Sequence, residues 1–525
     1  MTDEQSFSAL DRQFGEFIER QHGSAAPALR EAAMLTSRAR ADGHICVPLP
    51  AGVPESRTIG SGEEFTPLVV DGDRLYLRRY WDYEQQLARA ILARAANTKK
   101  PRIQTSGDLQ QAAAANAVAR NFSVITGGPG TGKTHTVRAI LKLLRAQPGG
   151  AELKIALAAP TGKAAARLSE ALREDGLEAT TVHRLLGSIP DSPYFRHHAE
   201  RPLTADVVIV DEASMVDLAL MAKLVAAVPL TSRLVLLGDR DQLASVEAGN
   251  VLADICAAAE VQQSPLHGAV VELRENYRFT TTGGIYRLSS AVNNGDAKAG
   301  LTVLQNPDDE LRWERLPASA ELGAALRERI IAGYASCLEA ADPAAALGQL
   351  QRFRILCAVR QGLFGVENLN PLAEQALAEA GLLKPRPGWY AGQPIIITRN
   401  DYNLQLFNGD SGIILPDPDA SGELRAFFLS PEGKLRRFLP SRLPLHETSF
   451  ALTVHKSQGS EFDRLLVILP EKDSPVLTRE LLYTAITRAR SGVELWCNEE
   501  IFRAAVLRRT VRVSGLRDAL STPAA

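Results

Sequence analysis

The sequence predicts an α/β protein: two parallel-sheet domains, a small β-barrel inserted into the second, and a mixed, mainly helical N-terminal domain ahead of both. Three observations carry this. From about Gln110 onward, apolar runs (Ser123–Thr126, Lys154–Ala158, Val207–Val210, Leu234–Leu237) alternate with amphipathic helical stretches, the order that parallel-sheet units require. A second series follows, with Arg354–Ala358 and Leu465–Leu469 as strands. Between them, residues 388–445 turn to short β-rich runs, Gln393–Thr398, Gly412–Leu415 and Leu424–Leu429, with turns at Asn408-Gly409-Asp410 and Pro416-Asp417-Pro418.

The N-terminal region combines helical stretches such as Arg30–Arg40 with strand-like His44–Leu49, and reads as a separate domain over residues 1–105. The first parallel-sheet domain then spans 106–275, with a short insertion at 188–202; the second spans 276–384 and 446–525, interrupted by the barrel at 385–445. A chain of 525 residues has room for these cores. Its net charge of -2 gives no general attraction to nucleic acid, so any phosphate contacts must come from a local groove. The five cysteines are widely spaced with no CxxC pair, which disfavours a zinc site or a disulfide framework and fits a reducing cytoplasm. The acidic, polar start and the lack of a long apolar run predict no membrane association.

The strongest local signal is Gly127-Gly128-Pro129-Gly130-Thr131-Gly132-Lys133-Thr134, a complete GxxxxGK[ST] loop between an apolar strand and a helix that begins at Lys133-Thr134-His135. Glycines let successive N–H groups curl around phosphate, and the helix start adds its positive dipole end. Lys133 is the expected clamp on the β- and γ-phosphates of ATP, and the Thr134 hydroxyl an expected Mg²⁺ ligand. Asp211-Glu212 ends the apolar run Val207–Val210, where α/β sheets bind ligands. Asp211 is the expected second Mg²⁺ partner, and Glu212 the base that orients the attacking water.

Further strings narrow the class. In order they are Gln110, Ala159-Pro160-Thr161-Gly162-Lys163, Thr181-Val182-His183-Arg184-Leu185, Gly238-Asp239-Arg240-Asp241-Gln242, Leu273-Arg274-Glu275-Asn276-Tyr277-Arg278, Thr453-Val454-His455-Lys456-Ser457-Gln458-Gly459-Ser460-Glu461, and Tyr483-Thr484-Ala485-Ile486-Thr487-Arg488. Over about residues 105–500 they resemble the motifs of superfamily 1 helicases. The resemblance implies two RecA-like motor domains and an SH3-like inserted barrel. It implies that Gln110 reads adenine, that Gln242 senses the γ-phosphate, and that Arg278 and Arg488 are arginine fingers. Gly459 and Glu461 would then face the nucleotide, while Pro160, Thr161, His183, His455 and Ser457 would line a single-strand track.

Segments outside the shared motifs, including Leu10-Asp11-Arg12-Gln13-Phe14, Gly43-His44-Ile45-Cys46, Trp389-Tyr390-Ala391-Gly392 and Leu406-Phe407-Asn408-Gly409-Asp410, resemble the RecD family of superfamily 1B. That resemblance implies 5′-to-3′ movement on single-stranded DNA at duplex ends. It also implies RecB-like and RecC-like partners in a heterotrimer, with the N-terminal domain docked on the RecC-like subunit and nuclease activity in a partner. Trp389 and Tyr390 read as core aromatics before a stacking platform. Isolated E-x-K strings at Glu152-Leu153-Lys154 and Glu432-Gly433-Lys434 do not amount to a nuclease site. Two other readings stay open: a stand-alone superfamily 1B helicase, and a non-catalytic subunit that binds ATP for shape alone.

Overall fold

The computed structural model describes residues 7–96, 108–189, 192–401, 403–430 and 433–522. The expected boundary at 105/106, Pro190 and Asp191 of the short insertion, and Glu432 lie outside the described residues.

The chain opens with helices Ala9–His22 and Pro27–Ala41. The first is set by a capping box: the Ser8 hydroxyl accepts from the Asp11 N–H, and the Asp11 carboxylate accepts from the Ser8 N–H. Strands β1 (Cys46–Pro48), β2 (Ile59–Gly60), β3 (Leu68–Asp71) and β4 (Arg74–Leu77) form a sheet of order β1-β4-β3-β2, and helix Arg78–Ala96 follows. This region is less separate than expected. Leu87 and Ile91 share one continuous core with Val208 and Leu234 of the next sheet. Arg94, almost fully buried, donates to the carbonyls of Val225, Pro229 and Ser232.

The first parallel sheet comprises β5 (Phe122–Gly127), β6 (Ile155–Ala159), β7 (Ala179–Thr181), β8 (Val207–Val210), β9 (Arg233–Gly238) and β10 (Val270–Leu273), in the order β10-β5-β9-β8-β6-β7. Strands β5 and β8 are buried at every residue, as expected for central strands covered on both faces. Every candidate segment of this domain beyond Gln110 begins where one of these strands ends, at the carboxyl edge where α/β sheets gather ligands.

The second parallel sheet takes β11 (Leu311–Glu314) and β12 (Phe353–Cys357) before an inserted sheet. The insert is β13 (Gln393–Ile397), β14 (Ser411–Pro416), β15 (Leu424–Leu429), β16 (Leu435–Phe438) and β17 (His446–Thr448). It then adds β18 (Ala451–Thr453), β19 (Phe462–Ile468) and β20 (Ala489–Trp496), giving the order β11-β20-β19-β12-β18. The insert is antiparallel throughout, ordered β16-β15-β14-β13-β17, and this pairing leaves β16 and β17 as two edges instead of closing a ring. One face, with Ile413 and Phe427, packs on helix Pro343–Leu350; the other holds Ile395, Ile397, Ile414 and Phe428. Tyr390 is buried with the first group, as read from the sequence, whereas Trp389, read with it as a core aromatic, is exposed.

The C-terminal segment departs from the expectation that 446–525 belongs wholly to the second motor domain. Past Thr510 it crosses back: the Ile45 N–H donates to the Val513 carbonyl, and Ser514 and Gly515 donate to the buried carboxylate of Glu84. Helix Leu516–Ser521 then buries Leu516 and Leu520 in the core shared by the N-terminal region and the first sheet. The physical reason is satisfaction of Glu84, which burial pushes above the usual carboxylate range and which its hydrogen-bond donors partly restrain.

Candidate nucleotide and strand-binding site

Strand β5 delivers the chain to Gly127, and the loop that follows turns at Gly130 (φ 81°) and Gly132 (φ 84°), both in the left-handed region that favours glycine. A Cβ on Gly130 would sit 2.5 Å from the Arg278 Cβ, and one on Gly132 would sit 2.2 Å from the Gln110 Nε2. The loop is therefore enclosed by two of the expected contacts. Lys133 Nζ donates to the Gly127 and Gly128 carbonyls at 2.6 and 3.0 Å, folded over the cradle of the loop. Thr134 stands half-buried in the first helical turn. Gln110 Nε2 donates to the Thr131 carbonyl, and Gln110 Oε1 pairs with His135 Nδ1 at 2.9 Å, so both amide ends are tied to the loop. Asn276 Nδ2 donates to the Pro129 carbonyl at 2.8 Å.

Asp211 and Glu212 leave β8 beside this loop. Burial, and then the Glu212 charge, pushes Asp211 up to about 6, with Lys133 pulling the other way. Glu212 adopts φ 52°, a left-handed conformation that costs a non-glycine residue on the order of 1–3 kcal/mol. Such strain is held where the position of the side chain matters. Among the described residues no cluster of three or more His, Cys, Asp or Glu side chains is placed to hold a metal ion. The hard-oxygen set of Thr134 and Asp211, with a buried carboxylate short of positive charge, nevertheless fits Mg²⁺ completed by phosphate oxygens and water.

The two sheets meet here edge to edge. Arg488 precedes β20 and Glu461 precedes β19, so both stand at the amino edge of the second sheet and face the carboxyl edge of the first. Arg488 is buried and donates to Gln242 Oε1, while Gln242 Nε2 donates to Asp239 at 3.0 Å. Tyr483 Oη also donates to Asp239, at 3.1 Å. Next to these, the Leu243 N–H donates to Thr484 Oγ1, and Gln458 Nε2 donates to the Leu243 carbonyl. The segment after β9 is thus tied to the Thr453–Glu461 string and to the string that ends at Arg488. Arg278 Nη2 donates to Glu461 Oε1 at 2.8 Å, and Arg167 and Arg490 reach Glu461 Oε2 at 2.5 and 3.3 Å. Burial alone would raise the Glu461 carboxyl; Arg167 and Arg278 outweigh it and bring it down to about 2.

Burial pushes Asp239 up to about 6. The sign follows directly: a carboxyl raised from 3.8 favours the folded chain while protonated, and that contribution is lost as pH rises through about 6. Asp239→Asn should therefore gain stability relative to the parent as pH rises from 4 to 7.5, by roughly 2 kcal/mol across that window. Any lost hydrogen bond adds a pH-independent offset. Apparent melting temperatures of both proteins at the two pH values check this; a constant difference would refute it.

The expected strand track is only partly on the surface. Thr161 caps helix Gly162–Ala171, accepting from the Ala164 N–H at 3.2 Å, and it follows half-buried Pro160. His183 packs against Phe195 (ring centroids 5.7 Å apart), and burial lowers its pKa. His455, at the carboxyl end of β18, is lowered by burial and then by Arg512. Both imidazoles are therefore suited to a strand as neutral hydrogen-bonding groups. Ser457 differs from the expectation: it is fully buried and donates to the Val454 carbonyl at 2.7 Å, which shapes the turn and keeps it off any strand. Gly459, expected beside the nucleotide, lies instead against Thr161, whose hydroxyl would be 3.1 Å from a Cβ placed there. Residues 454–461 connect two parallel strands of one sheet and so return from its carboxyl edge to its amino edge, which puts one string in touch with both regions.

Sequence reasoning passed over Arg167, Asn276, Asp239 and Tyr483. The last three lie inside quoted strings, so adjacency to Arg278, Gln242 and Arg488 was an available signal. Arg167 carried none, being one arginine on an amphipathic helix. Lys163, in the same string as Thr161, ties that helix to the second domain: its Nζ donates to Ser411 of the insert and Ser460, and burial, with Arg354 and Arg167, lowers it to about 8 against the pull of Asp410.

A phosphate loop and an acidic pair at the carboxyl edge of one parallel sheet, faced by arginines from the amino edge of a second, define a two-domain P-loop protein with a RecA-like helicase core. Residues 110–248 match the family model of an AAA domain, 448–495 that of the UvrD-like helicase C-terminal domain, and 3–56 that of the RecBCD enzyme subunit RecD N-terminal domain. The RecBCD enzyme subunit RecD of Mycolicibacterium smegmatis is 43% identical over 476 residues, 86% of this chain and 82% of that one. The ATP-dependent RecD2 DNA helicase of Deinococcus radiodurans is 36% identical over 376 residues, 70% of this chain and 46% of that one. A solved structure of Bacteroides Pif1 bound to ssDNA overlays with a TM-score of 0.43 at 18% identity, over 76% of this chain and 94% of that one. The chain belongs to the RecD family of RecBCD enzyme subunits.

Proposed function

We propose that this chain is an ATP-dependent 5′-to-3′ DNA helicase subunit of a RecBCD-type helicase-nuclease, acting at the ends of double-stranded DNA with RecB-like and RecC-like partners. The observation that carries the reading is the convergence of Lys133, the Asp211-Glu212 pair, Arg278 and Arg488 where the two sheets meet. A subunit that bound ATP for shape alone would have no need of a strained acidic residue, nor of arginines delivered from a second domain. Lys133 and Thr134, together with Asp211, would hold the phosphates and Mg²⁺, which when bound would supply charge neutralisation at the transferred phosphoryl group. Glu212 orients water. Arg488, already bonded to Gln242, links that chemistry to the segment after β9. Domains are assigned as residues 1–105, 106–275, and 276–384 with 446–510, the insert at 385–445 lying between; nuclease activity resides in a partner. Among the described residues no helix is long and apolar enough to cross a membrane.

Thr161, His183 and His455 form the strand track. Two neutral imidazoles and a hydroxyl contact backbone without reading sequence, so binding should be to single strands and only modestly salt-dependent. Movement toward the 3′ end should displace streptavidin from the 3′ end of a single strand and leave a 5′ block in place. Displacement from the 5′ end alone would remove the assignment.

A further inference from the structure

Glu461 is nearly buried, and three guanidinium groups from three separate segments converge on it: Arg278 after β10, Arg490 on β20, and Arg167 on helix Gly162–Ala171. Arg278 takes one carboxylate oxygen; Arg167 and Arg490 take the other. The Cβ of Arg278 lies against Gly130 of the phosphate loop while its guanidinium donates to Glu461, so one anchor stands beside both this carboxylate and the loop that would cradle a phosphate. Arg167 also donates to the Gly459 carbonyl at 3.1 Å, and Gly459 lies on Thr161, the residue that caps the helix carrying Arg167.

We infer that Glu461 is a parking carboxylate that holds Arg278 away from the phosphate loop, and that Arg167 is the positioning residue that makes Arg278 exchangeable. A carboxylate shared by three cations releases one at lower cost than a carboxylate paired with one, because the remaining two still neutralise it. Arg167 further repels Arg278. Removing Arg167 therefore leaves Arg278 held more tightly by Glu461 and less available to a γ-phosphate. Because Arg167 rides on the helix capped by Thr161, a strand seated on that cap shifts the same balance and reaches the nucleotide through two side chains.

This inference rests on the nucleotide-binding reading above, and its test is an equilibrium one on the full-length chain in Mg²⁺. Affinity for a non-hydrolysable ATP analogue is compared with affinity for ADP by calorimetry, since only the former offers a γ-phosphate to Arg278. Arg167→Ala should lower the preference for the ATP analogue several-fold. Adding Glu461→Gln in that background should restore it, and Arg278→Ala should lower the preference at least as far and make it independent of what stands at 167. A merely structural role for Arg167 would weaken both nucleotides alike, and Glu461→Gln would not rescue it. Arg167→Lys, which keeps the charge without the fork, should fall between parent and Ala. An unchanged preference in Arg167→Ala, or single effects that multiply to within about a factor of two in the double variant, overturns the exchange. A parent chain that binds neither nucleotide refutes the functional reading itself, and this inference with it.

Discussion

Lys133→Ala should reduce ATP turnover by roughly 10²–10³-fold or more and abolish unwinding, with the fold retained. The geometry explains why the effect is large and local. Lys133 Nζ is the cation folded onto the Gly127 and Gly128 carbonyls, and it is also the positive charge that favours the ionised form of both Asp211 and Asp239 against their burial. Replacing it removes the clamp on phosphate and leaves two buried carboxylates with less compensation, so the variant should lose nucleotide affinity as well as rate. Its side chain is not part of any apolar core, and the loop keeps its turns through Gly130 and Gly132 and the Thr131–Gly128 hydrogen bond. Circular dichroism alongside steady-state ATPase measurements checks both halves. Turnover within a few-fold of the parent would remove the phosphate loop from the mechanism.

What was legible in the sequence, and what was not, divides along a physical line. Strands β8 and β15 were readable to the residue, and β5, β6, β9, β12 and β19 to within a few, because central strands of covered sheets are continuous apolar runs bounded by turns. Strands β7 and β10 are the edges of their sheet, only three and four residues long and half-buried, and they leave no such run. The acidic pair and the phosphate loop were legible because each sits at a strand end within one unbroken string. Arg167 was not, since its meaning comes from apposition to Glu461, nearly three hundred positions away. Nor was the return of residues 511–522 to the N-terminal region, which depends on Glu84, more than 400 residues upstream, and on the core shared by that region and the first sheet. Ser457 misled for a related reason: a hydroxyl in a motif string reads as a phosphate contact, yet local backbone bonding claims it first.

The arrangement also bears on how hydrolysis is coupled to a strand. Among the routes that cross between the two motor domains are Gln242 to Arg488, Leu243 to Gln458 and Thr484, and Arg167 to Glu461. The first two start from the segment after β9, the third from the helix capped by Thr161. Since residues 454–461 return from the edge that carries His455 to the edge that carries Glu461, movement of the second domain on the first displaces strand contacts and nucleotide contacts together. The C-terminal segment joins the domains again, with Thr510 bonded to Glu480 of the second and Arg512 to the Glu247 and Gly249 carbonyls of the first. Val511 between them is largely exposed.

Glu212→Gln should keep nucleotide binding and lose hydrolysis by about 10²–10⁴-fold, the range expected when a positioned base is removed. The amide preserves shape and hydrogen-bonding capacity but takes no proton from water. A second consequence follows from the backbone. Glu212 lies at φ 52°, and glutamine is no better suited to that region than glutamate, so the strain remains and the variant should melt close to the parent, apart from the relief of charge beside Asp211. Glu212→Gly removes the side chain and the strain together, and it should be the more stable variant of the two by roughly 1 kcal/mol while being equally inactive. If the strain serves to aim the carboxylate, activity depends on glutamate in that conformation, and neither variant recovers turnover at any Mg²⁺ concentration. Measuring binding of labelled ATP, single-turnover hydrolysis and thermal stability for both variants separates the roles. Lost affinity with hydrolysis per bound ATP retained would show that Glu212 holds nucleotide and that the base lies elsewhere.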